Sequence, residues 1–333
     1  MIVELPNTTA SGISKALVKI REERGAVALG RVLTLVISTR HGAEEVAIEA
    51  ANDASREHPM RVIAISTPNA TDTPQESRLD AQIRVGGDAG ASEVIVLRAY
   101  GETATNEEGL VTGLLLADAP VVAWWPADAP PIVSESPIGR MAQRRITDAA
   151  AQPEPRQYLE HLATSYRPGD TDFSWTRLTL WRAQLAAVLD QPPYEPVVSV
   201  QVEGASDSPS TTLLAAWLQL QLQVPAQQSL ADPAGTNPGI HGVTLGRATG
   251  DIVLERTLHN IVTLTQPGQP SHDISLPRRN LRDCLAEELR RLDPDDLFGE
   301  VLQNGLRRLD EPTIASITIE GAASTLTGGT ESP

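Results

Sequence analysis

Residues 32–38 (VLTLVIS) and 61–66 (RVIAIS) are short, nearly continuous apolar runs. Between them lies a segment, 43–57, in which Val46, Ile48, Ala50, Ala51 and Ala54 recur at helical spacing. Apolar runs of strand length without alternation read as strands buried on both faces. A helix between two such strands is the signature of a parallel crossover. The pattern continues outward. Residues 81–85 and 93–97 read as strands, 107–116 as a helix and 121–125 as a strand. Upstream, Thr8 and Thr9 precede spaced apolar positions that predict a capped helix over 8–20. The N-terminal part is therefore expected to be an α/β domain with a mostly parallel sheet covered on both sides.

The second half has a different rhythm. A helix is expected over 175–189, an alternating strand over 197–202 and a leucine- and alanine-rich helix over 210–223. Short strands follow at 242–247, 251–257, 261–266 and 273–276, with turn residues between them, which predicts an antiparallel meander. Helices at 279–292 and 296–309 close the unit as α+β. Proline-rich stretches within 126–157 (PADAPP, SESP, AQPEPR) and at 191–196 (QPPYEP) are linker-like. The expected division is 1–165, 166–310, and a terminal strand and disordered tail over 311–333, where small and polar residues dominate.

Aspartate and glutamate outnumber lysine and arginine 43 to 27, for a net charge of −16. Such a field repels phosphate backbones and anionic membranes, so neither nucleic acid nor a membrane surface is expected as partner. All but Lys15 and Lys19 of the basic residues are arginine, the better residue for planar interface contacts. The doublets Arg278-Arg279, Arg290-Arg291 and Arg307-Arg308 fall in acid-mixed helical stretches and read as solvated faces. The start of the chain lacks a signal-peptide pattern and no apolar stretch reaches bilayer length; a cytoplasmic location is expected. Cys284, the single cysteine, sits among Leu281, Leu285, Leu289 and Leu292 at helical spacing and is expected to be a buried hydrophobe.

Few residues have the pattern that bond-making chemistry requires. No G-x-S-x-G or P-loop motif is present, and the six histidines show no metal-ligand spacing. The glycine-rich loop 86–90 (GGDAG) departs from G-x-G-x-x-G and reads either as a tight turn or as a nucleotide loop. The loop 204–210 (GASDSPS) joins a strand to a helix; Ser206, Ser208 and Ser210 are candidates for an anion site there, or ordinary caps around Pro209. Asp170 and Asp172 are candidates for paired acid–base carboxylates, or caps of the next helix. Aromatics make up only 3% of the chain, yet Tyr158, Tyr166, Phe173, Trp175 and Trp181 cluster, and Trp124-Trp125 ends a strand. Trp124, Trp125, Arg144, Arg145, Trp175 and Arg177 are the candidate partner-binding anchors, by the preference of interfaces for tryptophan and arginine. Core or inter-domain packing is the other reading of the aromatics. Consecutive tryptophans point to opposite faces of a strand, so both can be buried only in a sheet covered on both sides.

Several long segments, among them APVVAWWP, SPIGRMAQRRITDA, YRPGDTDFSWTRLTLWRAQLAAVLDQ, DAQIRVGGDAGASEVIVLRAYGE and ISLPRRNLRDCLAEELRRLDPDDLF, resemble the OpcA family of glucose-6-phosphate dehydrogenase assembly proteins, in order and from near residue 1 to about 310. The resemblance implies a cytoplasmic, non-catalytic activator that binds glucose-6-phosphate dehydrogenase, with no cofactor of its own; NADP belongs to that partner. It carries over no catalytic residue. Photosynthetic relatives respond to thioredoxin through cysteines, a scheme from which a chain with Cys284 alone departs. The alternative is a sugar-phosphate- or nucleotide-binding sensor or enzyme using loop 204–210 or loop 86–90.

Overall fold

The computed structural model describes residues 1–24, 30–69, 71–73, 75–86, 93–231 and 238–310. The first sheet and its helices run β1 (Ile2–Leu5), α1 (Ala10–Arg24), β2 (Leu33–Arg40), α2 (Glu44–Ala54), β3 (Met60–Thr67), β4 (Arg78–Val85), β5 (Glu93–Tyr100), α3 (Glu107–Thr112), β6 (Val121–Trp124), α4 (Pro137–Met141), β7 (Arg144–Thr147), α5 (Pro155–Ser165) and β8 (Asp170–Asp172). The strand order is β1-β4-β5-β3-β2-β6-β7-β8. The six strands from β5 to β8 in that order are parallel, while β4 runs antiparallel to both β5 and β1.

Both faces of this sheet are sealed, as the unbroken apolar runs require. Leu35, Ile37, Val62, Ala64, Val94 and Val96 pack toward α2. Their neighbours Val36, Ile63, Ile65, Ile95 and Leu97 pack toward α1 and α3. Trp124 and Trp125 follow the same rule: both are buried, and they belong to clusters on opposite faces.

The rest of the chain runs α6 (Phe173–Thr176), α7 (Thr179–Leu189), β9 (Ser199–Ala205), α8 (Pro209–Leu222), β10 (Ala226–Ala231), β11 (Ile240–Gly246), β12 (Ile252–Leu258), β13 (Ile261–Thr265), β14 (His272–Ser275), α9 (Leu281–Arg290), α10 (Asp296–Glu300) and α11 (Leu306–Asp310). One π-helical stretch, Val301–Gly305, joins α10 to α11. The second sheet has order β10-β9-β11-β12-β13-β14 and is antiparallel except for the β10–β9 pair. The core of this part lies between its inner face and α8, with Phe298, Val301 and Leu302 packed beyond the helix. Ten residues of α8 are buried, which explains its apolar composition all round. Pro209 occupies the first turn and Gln223, with φ of 59°, ends the helix.

The fold class is as expected, with local differences. The helix expected over 175–189 is two, α6 and α7, broken at Arg177 and Leu178. The stretch 126–157, which reads as a junction with a short helix possible around 138–143, carries α4 at that place and also β7 and the start of α5. Strands β1, β7, β8 and β10 were not expected. β7 (RRIT) and β8 (DTD) are buried throughout despite their charges. After the second sheet the chain returns: Cys284, Leu285 and Leu289 of α9 cover the first sheet beside Ala47, Ala51 and Ala54 of α2. Each leucine buried there contributes about 1.5–3 kcal/mol. No helix among the described residues is long and apolar enough to cross a membrane. Residues 311–333 and all of loop 86–90 except Gly86 lie outside the described residues.

Candidate functional site

The residues proposed as partner anchors form an internal network. Arg144 of β7 pairs with Glu288 of α9 and donates to the Asp293 carbonyl at 2.8 Å. Arg145 pairs with Asp170 of β8 and donates to the carbonyls of Ala142 and Pro168 at 2.9 and 2.6 Å. The Trp175 indole N–H donates to Asp295 at 2.8 Å, and its ring lies under the Arg182 guanidinium. Trp124, Trp125, Arg144, Arg145 and Trp175 are all buried. Arg144 and Trp175 tie their elements to Glu288, Asp293 and Asp295 near the end of the chain, while Trp124, Trp125 and Arg145 sit inside the first sheet's own packing, and a partner cannot reach these five without rearrangement. Arg177 is partly exposed and forms a two-pronged pair with Asp148, at 2.7 and 2.6 Å.

Asp170 and Asp172 are equally committed. Asp172 accepts from the Thr147 hydroxyl at 2.7 Å and from the backbone N–H groups of Ala149 and Ser174 at 2.8 Å each, the last as the cap of α6. Asp170 also accepts from the Arg167 N–H at 2.7 Å. Burial pushes both carboxyls above the usual carboxylate range, and Asp148 adds to the effect at Asp172. Asp172 thus caps α6, while Asp170 is held by its ion pair with Arg145 and local hydrogen bonds. Cys284 is fully buried, and burial pushes its thiol up to about 12.

Two concave regions remain. The first lies at the C-terminal ends of the parallel strands, where the order reverses between β2 and β6. In doubly wound sheets this is the crevice that receives a dinucleotide, with its diphosphate on the N-terminus of the first crossover helix. Here a cleft of about 290 Å³ is lined by Thr39, Arg40, Thr67, Glu107 and Asp128. The turn into α2 holds a single glycine, Gly42, and the first turn of the helix carries Glu44 and Glu45. The Glu44 carboxylate accepts the Gly42 N–H at 2.7 Å and pairs with Arg98 at 2.9 Å, nine-tenths or more buried. Glu107, raised above its usual range by burial, is hydrogen-bonded to Ser38 nearby. With one glycine before it and Glu44 and Glu45 in its first turn, this helix start lacks the glycine-rich cradle on which a diphosphate rests, so these residues do not fit a dinucleotide held in that manner.

The second region is a cleft of about 340 Å³ at the start of α8. Ser208 and Ser210 line it, whereas Ser206 is exposed outside it. The Ser210 hydroxyl donates to the Ser174 carbonyl at 2.8 Å, and Ser208 makes no side-chain cap bond. Four arginines converge on the same cleft: Arg177, Arg256, Arg278 and Arg279. Arg256 was not singled out from the sequence, and Arg278 and Arg279 were not read as site residues. The Arg278-Arg279 doublet, expected on a solvated face, precedes α9 and turns inward, where Arg279 pairs with Glu287. Arg256 follows Ile252 and Leu254 in the alternation of β12, so the strand's own pattern aims it at the core.

A family model described as the glucose-6-phosphate dehydrogenase subunit N-terminal domain matches residues 51–164, and one described as the C-terminal domain of the same subunit matches residues 168–302. Comparison with curated proteins finds no match. Among solved structures, an oxidoreductase from Sinorhizobium meliloti is similar, with 10% identity, a TM-score of 0.50, and coverage of 84% of this chain and 95% of that one. A glucose-6-phosphate 1-dehydrogenase from Mycobacterium avium is similar at 11% identity and a TM-score of 0.42, over 85% of this chain and 93% of that one. At such identity the first likeness is one of fold alone.

Proposed function

Because the chain belongs to the OpcA family of glucose-6-phosphate dehydrogenase subunits, we propose that it is a non-catalytic assembly and activator protein: it binds glucose-6-phosphate dehydrogenase in the cytoplasm and raises its activity in the oxidative pentose phosphate pathway. The ordered match of both family domains carries this reading. The start of α2, with one glycine before it and Glu44 and Glu45 in its first turn, lacks a glycine-rich diphosphate cradle, which supports the non-catalytic half.

Activation requires differential affinity. The chain must bind the dehydrogenase more tightly in its active, assembled state than in its inactive one, because equal affinity for both shifts nothing. A tenfold activation needs only about 1.4 kcal/mol of coupling. A stable contact would bury roughly 1,200–2,000 Å² in total. Trp124, Trp125, Arg144, Arg145 and Trp175 would then act indirectly, by fixing the shape presented, with Arg177 the one of the six within reach of a partner. The test is to titrate purified chain into the dehydrogenase while following NADPH production and co-elution. A rise in kcat, or a fall in KM for the sugar phosphate, together with a stable complex is expected. An unchanged rate with no co-elution overturns the proposal, and a complex with unchanged turnover reduces the chain to a structural subunit.

A further inference from the structure

We infer that the cleft at the start of α8 binds a small phosphomonoester whose body carries hydroxyl groups. The chain carries a net charge of −16, yet four arginines face this one cleft. Arg177 is paired with Asp148 and Arg279 with Glu287. Arg256 is different. It is only 8% exposed, its guanidinium donates to the carbonyls of Ile240, His259 and Leu276 at 3.3, 2.7 and 2.9 Å, and it stacks over Trp181 at 5.5 Å. No carboxylate among the described residues forms an ion pair with it. Burial and the like charge of Arg278 bring its proton affinity down to about 10. A buried cation without a counter-ion is costly. An anion entering the cleft supplies the missing charge and relieves the repulsion between Arg256 and Arg278.

The remaining wall sets the ligand class. The fourteen-residue α8 presents its N-terminus, with no acidic residue in the first turn to take up its partial positive charge. The Nη2 of Arg256, whose Nε and Nη1 are already bound to carbonyls, the Arg278 guanidinium and a helix end together suit a tetrahedral dianion better than a single carboxylate. Trp181, Ile240 and Pro277 offer apolar contact beside the charged end. Asp207, also on the cleft, accepts from hydroxyl groups and repels a second phosphate. The volume, about 340 Å³, is of the size that holds a small metabolite. Gly239 keeps this arrangement possible: its φ is +80°, and a Cβ there would lie 2.6 Å from Arg278 Nη1.

Calorimetric titration of the full chain tests this with inorganic phosphate and glycerol 3-phosphate as probes, and with glycerol, acetate and a hexaglutamate peptide as controls. Both phosphorylated probes are expected to bind saturably at one site, glycerol 3-phosphate the more tightly, and glycerol not at all. Arg278→Gln, a partly exposed position, is expected to weaken glycerol 3-phosphate roughly tenfold or more, the loss typical of a charged hydrogen bond. Arg256→Gln tests the buried cation, and Gly239→Ala tests the placement of Arg278 while keeping every charge; folding of each variant is checked by circular dichroism. No saturable binding of glycerol 3-phosphate at millimolar concentration, binding unchanged in Arg278→Gln, or preference for hexaglutamate or acetate overturns the inference. The isolated chain is the subject, so that failure leaves the dehydrogenase proposal standing.

Discussion

In the first sheet, successive residues of β2, β3 and β5 go to opposite faces and both are buried; in the second, only every other residue of β9 and β12 is. One sheet is wrapped by α1 and α3 on one side and by α2 and α9 on the other. The other rests one face on α8 and presents Glu203, Thr244, Glu255, Thr263 and Asp273 on the opposite face. The charged rungs of that outer face are all acidic: Glu203 lies beside Gly242, which pairs with Glu255, then Thr263 and Asp273. The sealed sheet is therefore the place where substitution disturbs the fold, and the open one is a broad, regular, negatively charged surface on which substitution should be nearly free.

The sharpest way to break this contrast is at the seam. Arg144→Ala leaves Glu288 buried without its cation, which should cost about 3–5 kcal/mol in urea denaturation. The double replacement Arg144→Met with Glu288→Leu should recover most of the loss, because the pair's desolvation cost goes with it. A single-variant loss near zero would mean that α9 does not close the first sheet in solution. Next in size, Trp124→Ala empties a fully buried site and should cost about 3–5 kcal/mol by the same measurement.

A smaller effect concerns pH at the crevice of the first sheet. Burial raises the Glu107 carboxyl above its unfolded value of 4.5. A carboxyl raised on folding makes the native state bind more protons, so its contribution to stability is best below the unfolded pKa and declines as pH rises through the folded one. Glu107→Gln removes that slope. Relative to wild type, the variant should gain stability as pH rises above the unfolded value of 4.5, read from urea transitions at a series of pH values. A flat difference would show that the group is solvated.

The smallest effect is the complement of the first. Thr263→Ala and Glu255→Gln, on the open face, should change stability by less than about 0.5 kcal/mol. If the dehydrogenase docks on that face, Glu255→Arg will reduce activation in the titration assay while leaving the unfolding transition in place. A stability loss from Thr263→Ala as large as that from Trp124→Ala would mean that the second sheet is covered too.

Reading the sequence for strands worked where burial is apolar and failed where it is ionic. Residues 32–38 and 61–66 announce themselves because a doubly covered strand has no polar side. The β7 strand, with Arg144 and Arg145 at its start, and β8, with Asp170 and Asp172, look like loop or helix caps until each charge meets its partner. Those partners, Glu288 for Arg144 and Asp170 for Arg145, lie on other elements. Arg144 and Arg145 read as interface anchors for the same reason, since an unpaired arginine belongs on a surface and only the tertiary contact cancels its charge. The loop 204–210 was visible as an anion candidate from its serines and Pro209, whereas the cleft's positive charge comes from Arg177, Arg256, Arg278 and Arg279, which neighbour it only in three dimensions.

Local periodicity, turn chemistry and the family resemblance, all of which act within a few residues or along an ordered string, determined the two-sheet architecture, the burial of Cys284 and the family. The tertiary structure alone decided that α9 returns to cover the first sheet, that Glu44 of α2 meets Arg98 of β5, and that Arg256 lies beside the α8 terminus with no carboxylate partner among the described residues. Each of these depends on charges and side chains brought together across long stretches of chain, and Coulomb energy is set by distance in space, on which spacing in sequence is silent.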